Sequence, residues 1–177
     1  MKSILKPVAV LTVICLVITA AVAGINLLTV EKIAENDKIS AQKTMSELIT
    51  GAEFSAVTAD GAECGEIYSA SDSTGDKGYI FVSSAFGYGG QVRVMTAVGT
   101  DGSIIGVRVL SCSDETPGLG QNAKNAEFTD RFTGLTTSEQ VNGADAITSA
   151  TFTSNAVKKS INCALHDFKI LTGGEQK

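Results

Sequence analysis

The sequence predicts an α+β fold in which an N-terminal transmembrane helix precedes an antiparallel sheet domain flanked by helices. Three observations lead to this prediction. Residues 7–30 carry no charged side chain over 24 positions. Residues 66–111 contain short runs of alternating apolar and polar residues, which are typical of antiparallel strands. Residues 154–171 repeat apolar positions at helical spacing, and a helix is also expected near residues 121–132.

The uncharged segment is long enough to cross a bilayer. As a helix, residues 7–30 would reach roughly 36 Å, against about 30 Å for the hydrocarbon core. Lys2 and Lys6 precede the segment, and positive charge favours a cytoplasmic N-terminus. We therefore expect a single-pass cell (inner) membrane protein whose remaining residues are extracytoplasmic. The alternative is a cleavable signal peptide ending near the small residues 19–24, although the apolar run continues beyond them.

The charges that follow the segment exclude one class of partner. All 19 acidic residues lie after it, whereas 2 of the 14 basic residues lie before it. The exported part is therefore clearly acidic. Nucleic-acid binding requires a basic surface, so we expect no nucleic-acid partner.

The cysteines and the single histidine limit the metal and redox chemistry. Cys15 lies in the apolar segment, and Cys64, Cys112 and Cys163 follow it. Two of these three would be able to form a disulfide outside the cytoplasm, or all three would be small, partly buried thiols. No Cys-x-x-Cys spacing occurs and His166 is the only histidine, so we predict no metal site.

The chain divides by composition into three parts. Residues 1–30 form the cytoplasmic N-terminus and transmembrane helix, and residues 31–58 form a helical stalk rich in helix formers. Residues 59–177 form the extracytoplasmic domain. Its candidate strands span residues 77–83, 91–98 and 103–110. Asp101-Gly102 predicts a hairpin turn in which both residues have positive φ.

The last helix is the clearest helical pattern in this domain. Thr153 or Ser154 would cap it, and Gly173-Gly174 would end it. One face carries its apolar residues, which are Val157, Ile161, Leu165, Phe168 and Leu171. Before it, residues 111–120 predict a loop and residues 122–132 a short helix.

A hydroxyl-rich stretch, residues 145–154, leads into this helix. The first amides of a helix lack intrahelical acceptors and its dipole is positive there, so an anion such as a phosphate would bind well. An ordinary helix cap is the alternative that composition alone favours.

The stretch resembles the flavinylation motif of the FMN-binding domain found in the G subunit of the Rnf complex and in the C subunit of the sodium-pumping quinone reductase. That motif runs Asp, two variable residues, Ser or Thr, Gly, Ala, and the acceptor Thr or Ser. Its matching positions here are Asp145, Thr148, Ala150 and Thr151. Ser149 stands where the family usually has glycine. Gly87-Tyr88-Gly89-Gly90 and the loop Glu115–Gly120 (ETPGLG) are similar to two further family segments.

The resemblance implies that FMN is attached covalently, through a phosphoester, to Thr151, by a separate flavin transferase that uses FAD. Asp145 would assist the transferase or hold the loop, and Thr148 would lie beside the phosphate with Ser149 and Ala150. The loop residues Glu115, Thr116, Gly118 and Leu119 would border the isoalloxazine ring. The resemblance implies no catalytic residue and no stand-alone activity.

The resemblance also implies an electron-transfer subunit of a membrane-bound Rnf-type complex. Such a complex passes electrons in a ferredoxin/NAD-linked, ion-translocating chain, and its other membrane subunits would be partners. The equivalent flavin subunit of a Na⁺-translocating NADH:quinone reductase is the near alternative. A non-redox extracytoplasmic binding or scaffold module is the alternative from another class. A hydrolase is disfavoured because no Gly-x-Ser-x-Gly motif occurs.

Overall fold

A computed structural model describes residues 2–173 of the chain, with the side chains of residues 6–173. The chain divides into two compact units between Gln42 and Lys43. The first unit is formed by helix α1, which spans Lys2–Leu48 and extends into the second unit. By length and composition, α1 qualifies as a candidate membrane-spanning helix. The predicted N-terminal helix is therefore confirmed, and it continues without a break through the first part of the predicted stalk.

The predicted stalk is wrong over its last ten residues. Helix α1 ends at Leu48 rather than continuing to residue 58. Gly51 follows with φ +72°, a conformation that residues other than glycine rarely adopt and that stops a helix. Glu53–Val57 then forms strand β1.

The second unit contains a five-stranded antiparallel sheet in which every strand pairs with its neighbour in sequence. The strands are β1 (Glu53–Val57), β2 (Glu66–Asp72), β3 (Gly75–Phe86), β4 (Gln91–Gly99) and β5 (Ile104–Ser111). The three candidate strands correspond to β3, β4 and β5. The predicted antiparallel sheet over residues 66–111 is confirmed, and β1 extends it by one edge strand.

The hairpin between β4 and β5 is present, but its turn is not the predicted type. Gly102 has φ +81°, whereas Asp101 does not have positive φ. Instead, Asp101 Oδ1 accepts hydrogen bonds from the amide (3.0 Å) and the hydroxyl (2.7 Å) of Ser103. The amide of Gly99 donates to the carbonyl of Ser103 at 2.8 Å, so the loop is longer than two residues. The aspartate therefore acts through its side chain, as in an Asx turn.

Short helices follow the sheet. The predicted helix near residues 121–132 is broken into a 3₁₀ turn (Gly120–Lys124), α2 (Ala126–Thr129) and a second 3₁₀ turn (Asp130–Phe132). Helix α3 (Ser138–Gly143) was not predicted, although a capping box between Thr137 and Gln140 marks its start. Helix α4 spans Thr151–Leu171.

Helix α4 packs against β3 and β4 and completes the core. Its predicted apolar face is confirmed, since Val157, Ile161 and Leu165 are buried and Phe168 and Leu171 pack against the same cluster. Gly173, with φ +78°, follows the helix, and Gly174 lies outside the described residues. The sheet therefore holds the N-terminal end of α4 at a fixed place.

Candidate functional site

Glu115 connects three segments, which are the glycine-rich turn Gly87–Gly90, the loop Glu115–Gly120 after β5 and the hydroxyl-rich stretch of residues 145–154. Its side chain is almost fully buried, with 2% exposed. Oε1 accepts hydrogen bonds from the backbone amides of Tyr88, Gly89 and Gly90 at 2.9, 3.0 and 3.3 Å. Oε2 accepts a hydrogen bond from the Thr153 hydroxyl at 2.5 Å. One carboxylate therefore fastens the glycine-rich turn and the loop after β5 to the first turn of α4.

The hydrogen bonds to Glu115 also decide its charge. Burial opposes the charged form of the carboxyl group. The hydrogen bond from Thr153 and those from the amides of Gly89, Gly90 and Tyr88 outweigh burial, and they hold the pKa of Glu115 below its usual range. Glu115 is therefore a carboxylate at neutral pH, and its negative charge is neutralised by oriented N–H and O–H dipoles.

The glycines around Glu115 are required by close approach. A Cβ atom on Gly120 would lie 2.7 Å from both Glu115 Oε2 and Thr153 Oγ1. A Cβ atom on Gly90 would lie 2.7 Å from the side chain of Asp114, and one on Gly89 would overlap the backbone carbonyl of Asp114. Gly87 is similarly blocked by Glu115. The glycines of the turn Gly87–Gly90 and of the loop Glu115–Gly120 thus allow the backbone to pack closely against Asp114 and Glu115.

The hydroxyl groups of residues 145–154 fall into two classes. Thr153 and Ser154 are buried, with 1% and 0% exposed, whereas Thr148, Ser149 and Thr151 are exposed. Thr153 donates to Glu115. Ser154 Oγ accepts from the amide of Ile147 and donates to the carbonyl of Ala150, both at 2.9 Å. Buried hydroxyls therefore hold the loop in place, and Thr151 is exposed at the start of α4.

The predicted helix cap by Thr153 or Ser154 is wrong, because α4 begins three residues earlier than expected. Its N-cap residue is Ala150, which has no side chain able to accept a hydrogen bond. The backbone amide of Ser154 is the first to bond within the helix, to the carbonyl of Ala150 at 3.0 Å. The N-terminal end of α4 thus has no side-chain cap at its N-cap position, and amides in its first turn are available to an anion.

Ser149 has an unusual backbone conformation. Its φ is +63°, the one positive value found at a residue other than glycine among residues 2–173. This is the position at which the family motif usually has glycine. A residue with a Cβ atom is disfavoured there by roughly 1–2 kcal/mol. The departure from the motif is therefore accommodated by backbone strain, and the turn that glycine would form is retained.

Asp145 and Thr148 line a polar cleft of about 540 Å³ next to this turn, together with Asn122, Asn125 and Arg131. Arg131 donates a hydrogen bond of 3.1 Å to the carbonyl of Asp145. On the other side of the loop, the buried Lys158 ammonium donates to the carbonyls of Asn142 (3.0 Å) and Ala144. Two cations on neighbouring elements thus hold the backbone that leads to Asp145.

Exposed apolar side chains lie on the three segments that Glu115 joins. The rings of Tyr88 and Phe152 are 6.3 Å apart, and 75% and 68% of these residues are exposed. Leu119, at the apex of the loop after β5, is 40% exposed. Uncovered aromatic rings beside uncapped helix amides are suited to a ligand with one flat ring system and one phosphate, as in FMN.

The predicted site residues therefore separate by role. Thr148, Ser149 and Thr151 are exposed at the helix start, with Ala150 buried beneath them, and Thr116, Gly118 and Leu119 are exposed on the loop. Glu115, which was predicted to border the ring, is buried and links the three segments through its hydrogen bonds. Sequence reasoning did not select Phe152 or Arg131. An aromatic residue directly after the expected acceptor was the available signal for Phe152.

The chain matches two family models. Residues 87–166 match the FMN-binding domain, and residues 1–48 match the RnfG N-terminal region. The first match starts at the glycine-rich turn and extends into α4, so it contains all the segments joined by Glu115.

Curated relatives match much of the chain. The G subunit of the proton-translocating ferredoxin:NAD(+) oxidoreductase complex of Clostridium ljungdahlii is 29% identical, and the match covers 93% of this chain and 91% of the relative. The G subunit of an ion-translocating oxidoreductase complex of Methanosarcina acetivorans is 34% identical, with 86% and 83% covered. The G subunit of the Na(+)-translocating ferredoxin:NAD(+) oxidoreductase complex of Acetobacterium woodii is 37% identical, with 49% and 46% covered.

A solved structure is also similar. It is the C subunit of the Na(+)-translocating NADH-quinone reductase of Parabacteroides distasonis, with 22% identity and a TM-score of 0.48. The similarity covers 63% of this chain and 64% of that one.

Proposed function

Because this chain belongs to the family of the G subunits of Rnf-type ion-translocating oxidoreductase complexes and contains an FMN-binding domain, we propose that it carries FMN on Thr151, joined by a phosphoester bond. Its role is that of an electron-transfer flavin subunit. The phosphoester bond, its position on Thr151 and the place of this flavin among the electron carriers are all part of what we propose. Electrons would pass through this flavin in a ferredoxin/NAD-linked, ion-translocating sequence.

The exposure of Thr151 is the observation that carries the proposal. A flavin transferase must reach the acceptor, and Thr151 is exposed, whereas Thr153 and Ser154 are buried and already hydrogen-bonded. The phosphate of FMN would lie against the first amides of α4, where the helix dipole favours a negative charge. Thr148, also exposed, is the alternative acceptor.

Other residues of the site would hold the flavin ring and the transferase. Tyr88, Phe152 and Leu119 offer apolar surface for the isoalloxazine ring, and Thr116 and Gly118 flank Leu119 on its loop. Asp145 and Thr148, which line the polar cleft, would contact the transferase as it delivers the FMN group from FAD. FMN supplies the redox chemistry when bound, whereas the protein fixes its position and its surroundings.

Helix α1 and the basic residues before the apolar segment support the membrane arrangement that we propose. The chain associates with a membrane as a member of this family with one apolar N-terminal helix. We place the N-terminus in the cytoplasm because Lys2 and Lys6 precede the span. Residues 59–177, with the flavin, would then be extracytoplasmic and close to the other membrane subunits.

In-gel flavin fluorescence after denaturation tests the attachment, with the full-length chain co-expressed with a flavin transferase. We expect the wild-type band to fluoresce and Thr151→Val to be dark, since valine keeps the shape of threonine without its hydroxyl. Thr133→Val, which changes an exposed threonine outside residues 145–154, is the matched control and should remain fluorescent. Intact mass should show one FMN added with loss of one water. A fluorescent Thr151→Val band would contradict the proposal.

Transferase recognition needs a separate variant. Asp145→Asn keeps the size of the side chain and removes its charge. We expect less flavin on this variant with unchanged thermal unfolding, because Asp145 is exposed and the loop is held through its backbone. Full flavin incorporation into Asp145→Asn would assign the recognition to other residues.

A further inference from the structure

Two cysteines far apart in sequence meet beside α4. Cys64 lies between β1 and β2, and Cys163 lies within α4. Their Sγ atoms are 2.6 Å apart, and both residues are half-buried. Cys112 and Cys15 have no such sulfur contact among the described residues.

Asp167 positions the Cys64 segment. It is fully buried in α4, one turn after Cys163. Its two carboxylate oxygens accept hydrogen bonds from the amide of Glu63, both at 3.0 Å, and Oδ2 also accepts one from the amide of Cys64 at 2.7 Å. Burial opposes the charge of Asp167, but these amide hydrogen bonds outweigh it and keep the pKa of Asp167 low. The carboxylate thereby holds the Cys64 backbone against the helix.

The geometry favours a disulfide over a metal ion. Two thiolates on one tetrahedral zinc ion, at about 2.3 Å from it, would lie about 3.8 Å apart. The observed separation is closer to a sulfur–sulfur bond, at about 2.05 Å. Asp167 is the other potential ligand next to the two sulfurs, and its oxygens are already occupied by amides. A metal ion would have to displace those hydrogen bonds.

We propose that Cys64 and Cys163 form a disulfide bond in the mature protein. An external disulfide oxidant, R–S–S–R, is the required co-reactant. The thiolate of one cysteine attacks it and releases one RSH, with a proton from solvent. The second cysteine, after losing its proton, attacks the mixed disulfide, forms the Cys64–Cys163 bond and releases the second RSH. Two electrons and two protons thus pass from the cysteine pair to the oxidant.

The oxidant has a route to the pair. Cys163 lines an open groove of about 800 Å³ between α4 and strands β2 and β3, along with Glu63 and Gly65. Once formed, the bond would close a loop that contains the strands β2–β5 and the site around Glu115. It would hold α4, the helix that begins at Thr151, to the segment that enters the sheet. This inference does not depend on bound flavin.

Counting thiols in the full-length, detergent-purified chain tests the proposal. The protein is equilibrated with oxidised glutathione, denatured, and alkylated with and without prior reduction. The four cysteines should give two alkylated residues before reduction, Cys15 and Cys112, and four afterwards. Peptide mapping should find the Cys64 and Cys163 peptides joined. Four alkylated thiols after oxidation, or a stoichiometric zinc ion that protects the pair, would overturn the proposal.

Thermal unfolding gives an independent measurement. A disulfide that closes a loop of this length is expected to raise the melting temperature by about 5–15 °C. Reduction should therefore lower the melting temperature of the wild type by that amount and leave Cys163→Ser unchanged. Cys112→Ser is the matched control, because it removes a buried thiol that has no sulfur partner among the described residues. It should keep the full response to reduction. An equal response to reduction in Cys163→Ser and the wild type would overturn the assignment.

Discussion

The carboxylate of Glu115 accepts a 2.5 Å hydrogen bond from the hydroxyl of Thr153, and so joins the loop after β5 to the first turn of α4. The same carboxylate accepts three backbone amides of the glycine-rich turn. A single buried charge therefore sets the distance between the proposed acceptor, Thr151, and the aromatic surface that contains Tyr88.

Replacing Glu115 by glutamine should destabilise the domain. The amide keeps the size of the side chain but removes the charge and one acceptor atom. Hydrogen bonds to a charged group contribute about 1.5–3 kcal/mol, and a loss of that order in the free energy of unfolding is expected in urea. Glu127→Gln is the control, because its side chain is 89% exposed. An equal effect of both changes would show that the buried hydrogen bonds contribute little.

The same carboxylate should make stability depend on pH. The pKa of Glu115 is lower in the folded chain than the value of about 4.3 in an unfolded chain. At pH values between these two pKa values, the unfolded state therefore binds more protons than the folded state. The stabilising contribution of Glu115 is present above that unfolded pKa and is lost as the pH falls through the folded pKa. When urea unfolding is measured between pH 6 and pH 3, the free energy of unfolding should therefore change less steeply with pH in Glu115→Gln than in the wild type. Asp167, with a lowered pKa, should preserve part of the slope. Equal slopes in wild type and variant would contradict the role of Glu115.

Glycine at position 149 should stabilise the loop. Ser149 has φ +63°, which costs a residue with a Cβ atom roughly 1–2 kcal/mol, and part of the gain is offset by the greater freedom of glycine when unfolded. We expect Ser149→Gly to raise the free energy of unfolding by about 1 kcal/mol. Ser149→Ala is the matched control, since it also lacks the hydroxyl but keeps the Cβ atom. A gain in the alanine variant alone would refute the strain argument.

Lys158 should matter more than its neighbour on the helix. Its ammonium group is buried and donates to the carbonyls of Asn142 and Ala144, which Lys158→Met would leave without that donor. Hydrogen bonds from a charged group contribute about 1.5–3 kcal/mol, and thermal or urea unfolding should reveal a loss of that order. Lys159→Met, at an exposed position, should change stability little. Similar losses in both variants would point to helix propensity instead of these hydrogen bonds.

Sequence patterns were sufficient wherever one periodic signal dominated. The apolar face of α4 and the strands β3, β4 and β5 alternate or repeat clearly, and they form as predicted. The short strand Glu53–Val57 was missed because its pattern is weak, and pairing with β2 stabilises it. The start of α4 was misplaced because Thr153 and Ser154 resemble caps, whereas their hydroxyls are committed to Glu115 and to the preceding loop.

The candidate site was only partly visible in the sequence. Motif positions such as Thr148 and Thr151 were selected by resemblance, and their exposure agrees with an accessible loop. The burial of Glu115 was not predicted, because a glutamate in a glycine-rich loop is usually exposed to solvent. Its contact with Thr153 joins residues 38 positions apart, and no local pattern encodes such a contact.

The strand order determines when the site becomes complete during synthesis. Each strand of the sheet pairs with its neighbour in sequence, so the meander can form progressively as the chain emerges, with short-range contacts that close quickly. Helix α4 emerges after all five strands, and it brings Thr153 to Glu115. A flavin transferase that recognises the assembled site would therefore modify only chains in which α4 has emerged, and chains truncated before α4 would remain unmodified.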